Sequence, residues 1–260
     1  MIKIKKLDVL QPSPSFIQLT WYLEPTTETL SSYHVDVYQS ELVSTNISDY
    51  RLLASGISPQ SYNTYYDYSV SGLTNKFGTY TYIVDVVSNS LVLATRSDPV
   101  SITVTSDKYA RAIIASRALI LDKHSGQDYK ILKRKTFGTY CSNCFDVTLQ
   151  RTTKAKCLVC YSTTYTGGFY LPFNVRGQLN EAPKRSVLTT YGDWQDQDAI
   201  LIINNKPILV AGDVVVDRLS RRWNVVTVRI TNKALFIVSQ QAQIRQIERD
   251  DIVYEFPVSW

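Results

Sequence analysis

Residues 141–160, CSNCFDVTLQRTTKAKCLVC, hold all four cysteines of the chain. They stand as two Cys-x-x-Cys pairs, Cys141 with Cys144 and Cys157 with Cys160, with twelve residues between the pairs. A two-residue spacer lets both sulfurs of a pair converge from one tight turn, and two such turns side by side offer four thiolates to a tetrahedral metal ion. The spacing therefore predicts a structural Zn2+ ligated by Cys141, Cys144, Cys157 and Cys160. A site closed by four sulfurs has no open position for a substrate, so the metal folds the segment and performs no chemistry. A pair of disulfides is the weaker alternative, because a bridge inside a Cys-x-x-Cys loop is ordinarily redox-active. The opening MIKIKKLDVL also lacks the continuous apolar run of a secretion signal.

Between the two pairs, Phe145, Val147 and Leu149 alternate with polar residues before a basic turn through Arg151, Lys154 and Lys156. Two cysteine knuckles joined by a hairpin are the layout of a zinc ribbon, and we assign residues 129–192 to that region.

Upstream, residues 1–105 alternate apolar and polar in short runs separated by turn signals. Phe16 to Trp21, Tyr33 to Tyr38, Tyr50 to Ala54, Tyr80 to Val86, Leu91 to Ala94 and Val100 to Val104 each read as a strand, with Tyr62–Tyr68 as a tyrosine-rich connection. Six or seven such strands imply a two-sheet sandwich. The stretches PSPSFIQLTW, YHVDVYQS, DYSVSGLTNKFGTYTYIVDVV and SDPVSITV resemble a fibronectin type III domain. That resemblance implies a core tryptophan on an early strand, Trp21, and a tyrosine or leucine corner supplied by Leu73 with Tyr80 or Tyr82. It also implies a spacer or docking role. Residues 106–128 follow as a linking helix: Ser106 or Asp107 caps it, Ala110, Ile113, Ile114, Ala118 and Leu121 fall near one face, and Gly126 stops it.

Downstream, residues 193–260 give five short strands with tight turns, among them Ile200–Ile203, Ile208–Val210, Val214–Val216, Trp223–Arg229 and Leu235–Val238. That density implies a small closed β-barrel. The pattern of Gly212, Asp213, Val215 and Asp217, then Trp223, Val225 and Val228, then Gln240, Ile244, Arg245 and Ile247, with Asp251, Ile252, Tyr254 and Pro257 at the end, resembles the head-closure and neck proteins of tailed bacteriophages. The resemblance implies a virion protein made in the host cytoplasm, at the neck or the head–tail or tail junction. It would assemble as a homo-oligomeric ring against portal, connector or tail proteins, with DNA passing through a channel. The whole chain is thus expected to be mainly β: fibronectin type III-like sandwich, linking helix, zinc ribbon and small barrel.

The remaining residues argue against chemistry. His34 and His124 are the only histidines, and neither stands beside a serine or cysteine in a nucleophile's setting. Gly167-Gly168 lacks the lysine and hydroxyl residue of a phosphate loop. Asp193, Asp196 and Asp198 lack the glycine and terminal glutamate of a calcium loop. No catalytic residue is assigned, and the chain is read as a non-enzyme. No stretch is long and apolar enough for a membrane span. Net charge is +5, with 28 basic and 23 acidic residues. This is mild for a binder that neutralises many phosphates. Lys130, Lys133, Arg134 and Lys135, with Arg218, Arg221 and Arg222, are the candidate phosphate contacts of the alternative function, a zinc-ribbon nucleic-acid-binding protein with a docking sandwich.

Overall fold

The computed structural model describes residues 2–41, 46–69, 78–105, 107–154, 156–181, 188–189, 192–193 and 198–260. They fall into two compact units: 1–108 with 135–170, and 109–134 with 171–260.

The first unit carries eight strands from the N-terminal segment: β1 (Ile4–Ser13), β2 (Phe16–Leu23), β3 (Tyr33–Ser40), β4 (Arg51–Ile57), β5 (Thr64–Asp67), β6 (Thr79–Ser88), β7 (Leu93–Arg96) and β8 (Val100–Thr103). One sheet has the order β1-β2-β5, the other β4-β3-β6-β7, and β8 pairs with the start of β6. Every pairing is antiparallel. Inward residues of both sheets interdigitate: Ile17, Leu19, Trp21 and Leu23 from β2 meet Val35, Val37, Tyr82, Val84 and Val86 in one core. Trp21 is fully buried there, as its early-strand position implied.

Two strands escape the sequence reading. β1 alternates poorly because a bulge between Ile4 and Lys6 shifts its register. Its exposed lysines also mask the period; they belong to an edge strand, where charge discourages pairing with another chain. The tyrosine-rich connection contains β5, whose tyrosines lie half-buried.

The sheets are tied by a buried polar cluster. The Tyr82 hydroxyl on β6 donates to Asp67 Oδ2 on β5 at 2.8 Å, and Gln39 Nε2 on β3 donates to the same oxygen at 3.0 Å. Arg51 donates to Gln39 Oε1 at 3.0 Å. Tyr82, and not Tyr80, is therefore the tyrosine whose hydroxyl crosses between the sheets. Leu73, the other candidate for that corner, lies outside the described residues.

In the second unit, helix α1 spans Lys108–Ile120 and continues as one π-helical turn over Leu121–Ser125. Gly126 ends it as expected: a Cβ there would sit 2.0 Å from the Leu121 carbonyl oxygen. The expected apolar face is only partly used. Ala110 and Leu121 are buried, whereas Ile113 and Ala118 are exposed.

The barrel has six strands, β9 (Gln127–Leu132), β12 (Phe173–Glu181), β15 (Asp198–Ile203), β16 (Val214–Asp217), β17 (Arg222–Lys233) and β18 (Phe236–Gln246). The intervening labels belong to two short hairpins, β10 (Phe145–Asp146) with β11 (Arg151–Thr152) and β13 (Leu188–Thr189) with β14 (Gly192–Asp193). The barrel closes in the order β12-β15-β18-β17-β16-β9, antiparallel throughout. Alternate side chains (Tyr129 and Ile131, Ala199, Leu201 and Ile203, Val215, Trp223 and Val225, Ala242 and Ile244) fill the interior, so it is a packed core. Ile208–Val210 forms no strand, and Leu235–Val238 lies at the turn and start of the longer β18.

The domain boundaries expected at 105, 128 and 192 therefore shift. β9 and β12 pair with each other, Ile131 opposite Phe173, although residues 133–172 separate them. The ribbon is an insertion between two adjacent barrel strands, and the helix packs in the barrel's unit instead of acting as a free linker. A period-2 pattern identifies strands but not their partners, which is why the chain order misled the boundaries.

Two buried pins close barrel loops. Gln240 is fully buried; its amide donates to Asn204 O and Pro207 O, and its carbonyl accepts from Leu209 N–H. Asp213 accepts from Lys133 Nζ at 2.5 Å and from the Val210 and Arg134 N–H groups.

Tyr82→Phe should lower unfolding stability by about 1–3 kcal/mol, because Asp67 keeps its burial and loses a donor. Urea unfolding followed by tryptophan fluorescence measures this. An unchanged midpoint would show that the cross-sheet bond contributes nothing net.

Candidate metal centre

The two Cys-x-x-Cys turns are built alike. Phe145 N–H returns to Cys141 O at 2.9 Å, and Tyr161 N–H returns to Cys157 O at 2.8 Å, so each turn presents its two sulfurs inward. The hairpin between them is shorter than expected. Asp146 Oδ1 accepts from Thr148 N–H and Leu149 N–H, which ends the hairpin after two residue pairs. Val147 and Leu149 consequently sit exposed in the turn.

All four cysteines are buried and none forms a disulfide. Their sulfurs lie within 4.8 Å of one another, with Cys141–Cys157 at 3.7 Å and Cys144–Cys160 at 3.3 Å. A tetrahedral metal–thiolate site with bonds of about 2.3 Å has edges of about 3.8 Å. The four sulfurs thus have the number, softness and spacing to hold one metal ion. Burial, followed for Cys144 by contact with the other sulfurs, pushes the Cys141 and Cys144 thiols up. At Cys157 burial acts the same way, but the Cys160 and Val159 N–H groups and neighbouring sulfurs outweigh it and bring the thiol down to about 7. Four bare thiolates this close would repel strongly. A divalent cation is the natural counter-charge, and its binding would release protons.

The second turn needs unusual backbone. Tyr161, Ser162 and Thr164 all take positive φ, followed by Gly167 and Gly168. At Gly168 a Cβ would stand 2.8 Å from the Tyr161 ring and 2.9 Å from Cys160 O, so glycine is required.

Aromatic residues near the cysteines in sequence stack on one another. Tyr140 stacks on Phe145 with ring centroids 4.0 Å apart and on Tyr165 at 5.5 Å. The base of the ribbon joins the sandwich. Thr26 pairs with Thr139 by backbone hydrogen bonds to Gly138 and Tyr140, Thr139 Oγ1 donates to Glu28 O at 2.7 Å, and Phe137 and Tyr170 enter the sandwich core.

The other candidates are mostly occupied elsewhere. Lys133 is held by Asp213, Arg221 by Asp217 at 2.6 Å, and Arg222 by the Val253 and Phe256 carbonyls. Arg218 pairs with Asp128, and Lys130 lies over the Trp260 ring. Lys135 is buried in the first unit. Asp198 is buried against Arg245 Nε at 2.9 Å, and Asp196 lies outside the described residues, so no aspartate cluster forms among the described residues. His34 faces Asp36 at 3.8 Å, and His124 is exposed in the turn after α1. Among the described residues no helix is long and apolar enough to cross a membrane.

No family model matches the chain, and no curated protein matches it. Among solved structures, pectate lyase PelI from Erwinia chrysanthemi, in complex with tetragalacturonic acid, is similar at 25% identity and a TM-score of 0.28. The match covers 37% of this chain and 27% of that one. Titin kinase with its flanking domains is similar at 10% identity and a TM-score of 0.28, covering 94% of this chain and 37% of that one. The chain thus spans well under half the length of either, and at this TM-score neither likeness bears on function.

Gly168→Ala should weaken the centre: the methyl group collides with Cys160 O in a backbone region alanine avoids, at a cost of about 1–3 kcal/mol. Competition with a chromogenic chelator should show faster and more complete metal loss than from the parent protein. Equal retention would mean that the second turn has room to relax.

Proposed function

We propose that the chain is a structural virion protein of a tailed bacteriophage, acting at the neck or the head–tail or tail junction. It would assemble into a ring through protein–protein contacts and perform no catalysis of its own. The observation that carries the reading is where the neck-protein-like residues fall. Val215, Trp223, Val225 and Ile244 are barrel core, while Asp213 and Gln240 are its buried loop pins. The resembling pattern therefore coincides with a folded unit's determinants and not with a scatter of surface positions.

On this reading the front sandwich is fibronectin type III-like and serves for docking. Its support is the three-plus-five strand arrangement with buried Trp21 and the Tyr82 cross-link. The metal is zinc, held by Cys141, Cys144, Cys157 and Cys160. It would cross-link residues that have almost no apolar core between the turns, and as a closed tetrathiolate it would supply structure and no Lewis-acid chemistry. The nucleic-acid alternative is less favoured, since Lys133, Arg221 and Arg222 already serve internal partners.

Metal analysis of purified protein should return one zinc per chain, and Cys144→Ser should abolish stoichiometric binding and destabilise the first unit. A metal-free chain that keeps its fold in chelator would remove the zinc assignment. For the assembly, negative-stain electron microscopy of the protein, and labelling of particles that carry it, should show rings and a neck or tail position. A strict monomer absent from particles would overturn the proposal. Tight DNA binding with a steep salt dependence would instead select the nucleic-acid alternative.

A further inference from the structure

Within the first unit a cleft of about 280 Å³ opens where the ribbon's base meets the sandwich. Its walls include Phe137, Tyr140 and Tyr170 from the ribbon side, and Thr29, Leu30 and Gln60 from the sandwich. Lys135 also lines it and, among the described residues, is the only charged one that does.

Lys135 is only 5% exposed. Among the described residues its ammonium has one hydrogen-bond acceptor, Thr166 O at 2.9 Å, and it lies 5.6 Å from the Tyr170 ring centroid. Among those residues no carboxylate faces it. This contrasts with Lys133 two residues earlier, whose burial is matched by Asp213. A buried cation without a counter-charge is costly, and the cost shows in the ammonium's pKa, which burial lowers to about 8. Tyr170, 2% exposed, adds a second unmet demand: its hydroxyl is buried with no hydrogen-bond partner. A buried ammonium with a single carbonyl acceptor and no carboxylate, and a buried hydroxyl with no acceptor, both on residues that line one cleft, point to a site built for an acceptor that comes from outside.

We propose that this cleft binds a small organic carboxylate with a planar or apolar body, its anionic oxygens completing Lys135 with the Tyr170 hydroxyl as second donor. A monoanion suits a wall with a single cation, and an apolar body suits Phe137, Tyr140, Tyr170 and Leu30. A phosphate dianion would call for further positive charge that the wall does not have.

The test uses the full-length, metal-loaded protein and three probes in calorimetric or NMR titration: benzoate, its neutral counterpart benzamide, and inorganic phosphate. Benzoate should bind saturably with Kd of about 1 mM or tighter, and at least about tenfold more tightly than either of the others. Lys135→Met, checked for unchanged metal content, should lose at least about tenfold in benzoate affinity, and Tyr170→Phe should lose less. Equal binding of benzoate and benzamide to the parent protein would overturn the proposal, as would a preference for phosphate or no saturable binding. These three comparisons need no variant to fold. Unchanged benzoate affinity in a folded Lys135→Met protein would overturn it equally.

Discussion

Four sulfurs form a buried cluster of their own, and no apolar side chain belongs to it. Residues 141–168 must otherwise be held by turn hydrogen bonds, a hairpin of two residues per strand, and side chains such as Leu149 and Leu158 that face solvent. Fixing such a stretch costs about 1–2 kcal/mol of backbone entropy per residue, far beyond what two-residue strands return. Positive φ at Tyr161, Ser162 and Thr164 raises the cost further. A metal held by the four thiolates would supply a cross-link strong enough to offset that cost. The base of this segment is held separately, by the Thr26–Thr139 pairing and by Phe137 in the sandwich core.

The legible parts of the sequence were those in which one residue type has few alternative uses. Paired cysteines at fixed spacing announced the centre, and Trp21 announced the sandwich core. Alternating valines and isoleucines announced β3, β6, β15, β16 and β17. What stayed hidden depends on partners far along the chain. The pairing of β9 with β12 cannot be seen in either strand, since a 40-residue insertion separates them. β1 was obscured by a bulge and by the lysines that protect its edge. The helix illustrates the opposite error: Ile113 and Ala118 have the period of a buried face, yet the structure buries only Ala110 and Leu121. Periodicity reports which residues could share a face, while burial depends on what is available to cover it.

Charge was the least transparent feature. Lys130, Lys133, Arg134 and Lys135 read as one basic run, but three of them meet three different fates. Lys133 pins a barrel loop through Asp213, Lys130 covers Trp260, and Lys135 lies in the first unit with no carboxylate. A run of like charges in sequence became separate electrostatic environments because the chain leaves one unit and enters the other between Arg134 and Lys135. Net charge says nothing about such partition; the location of each counter-charge does.

That contrast also separates structural ionisable groups from functional ones. Asp213 and Asp198 are deeply buried and each is matched by a cation, Lys133 and Arg245 respectively, and each closes a loop or strand end. Such groups specify one arrangement of the barrel, since removing either member leaves a buried charge alone. Lys135 and Tyr170 are as deeply buried but incompletely answered, and they share one cleft. The buried carboxylates Asp198, Asp213 and Asp217 each face a cation, whereas among the described residues no carboxylate faces Lys135. The asymmetry, more than the cleft's size or the lysine's acidity, is the physical argument that the missing acceptor belongs to a ligand.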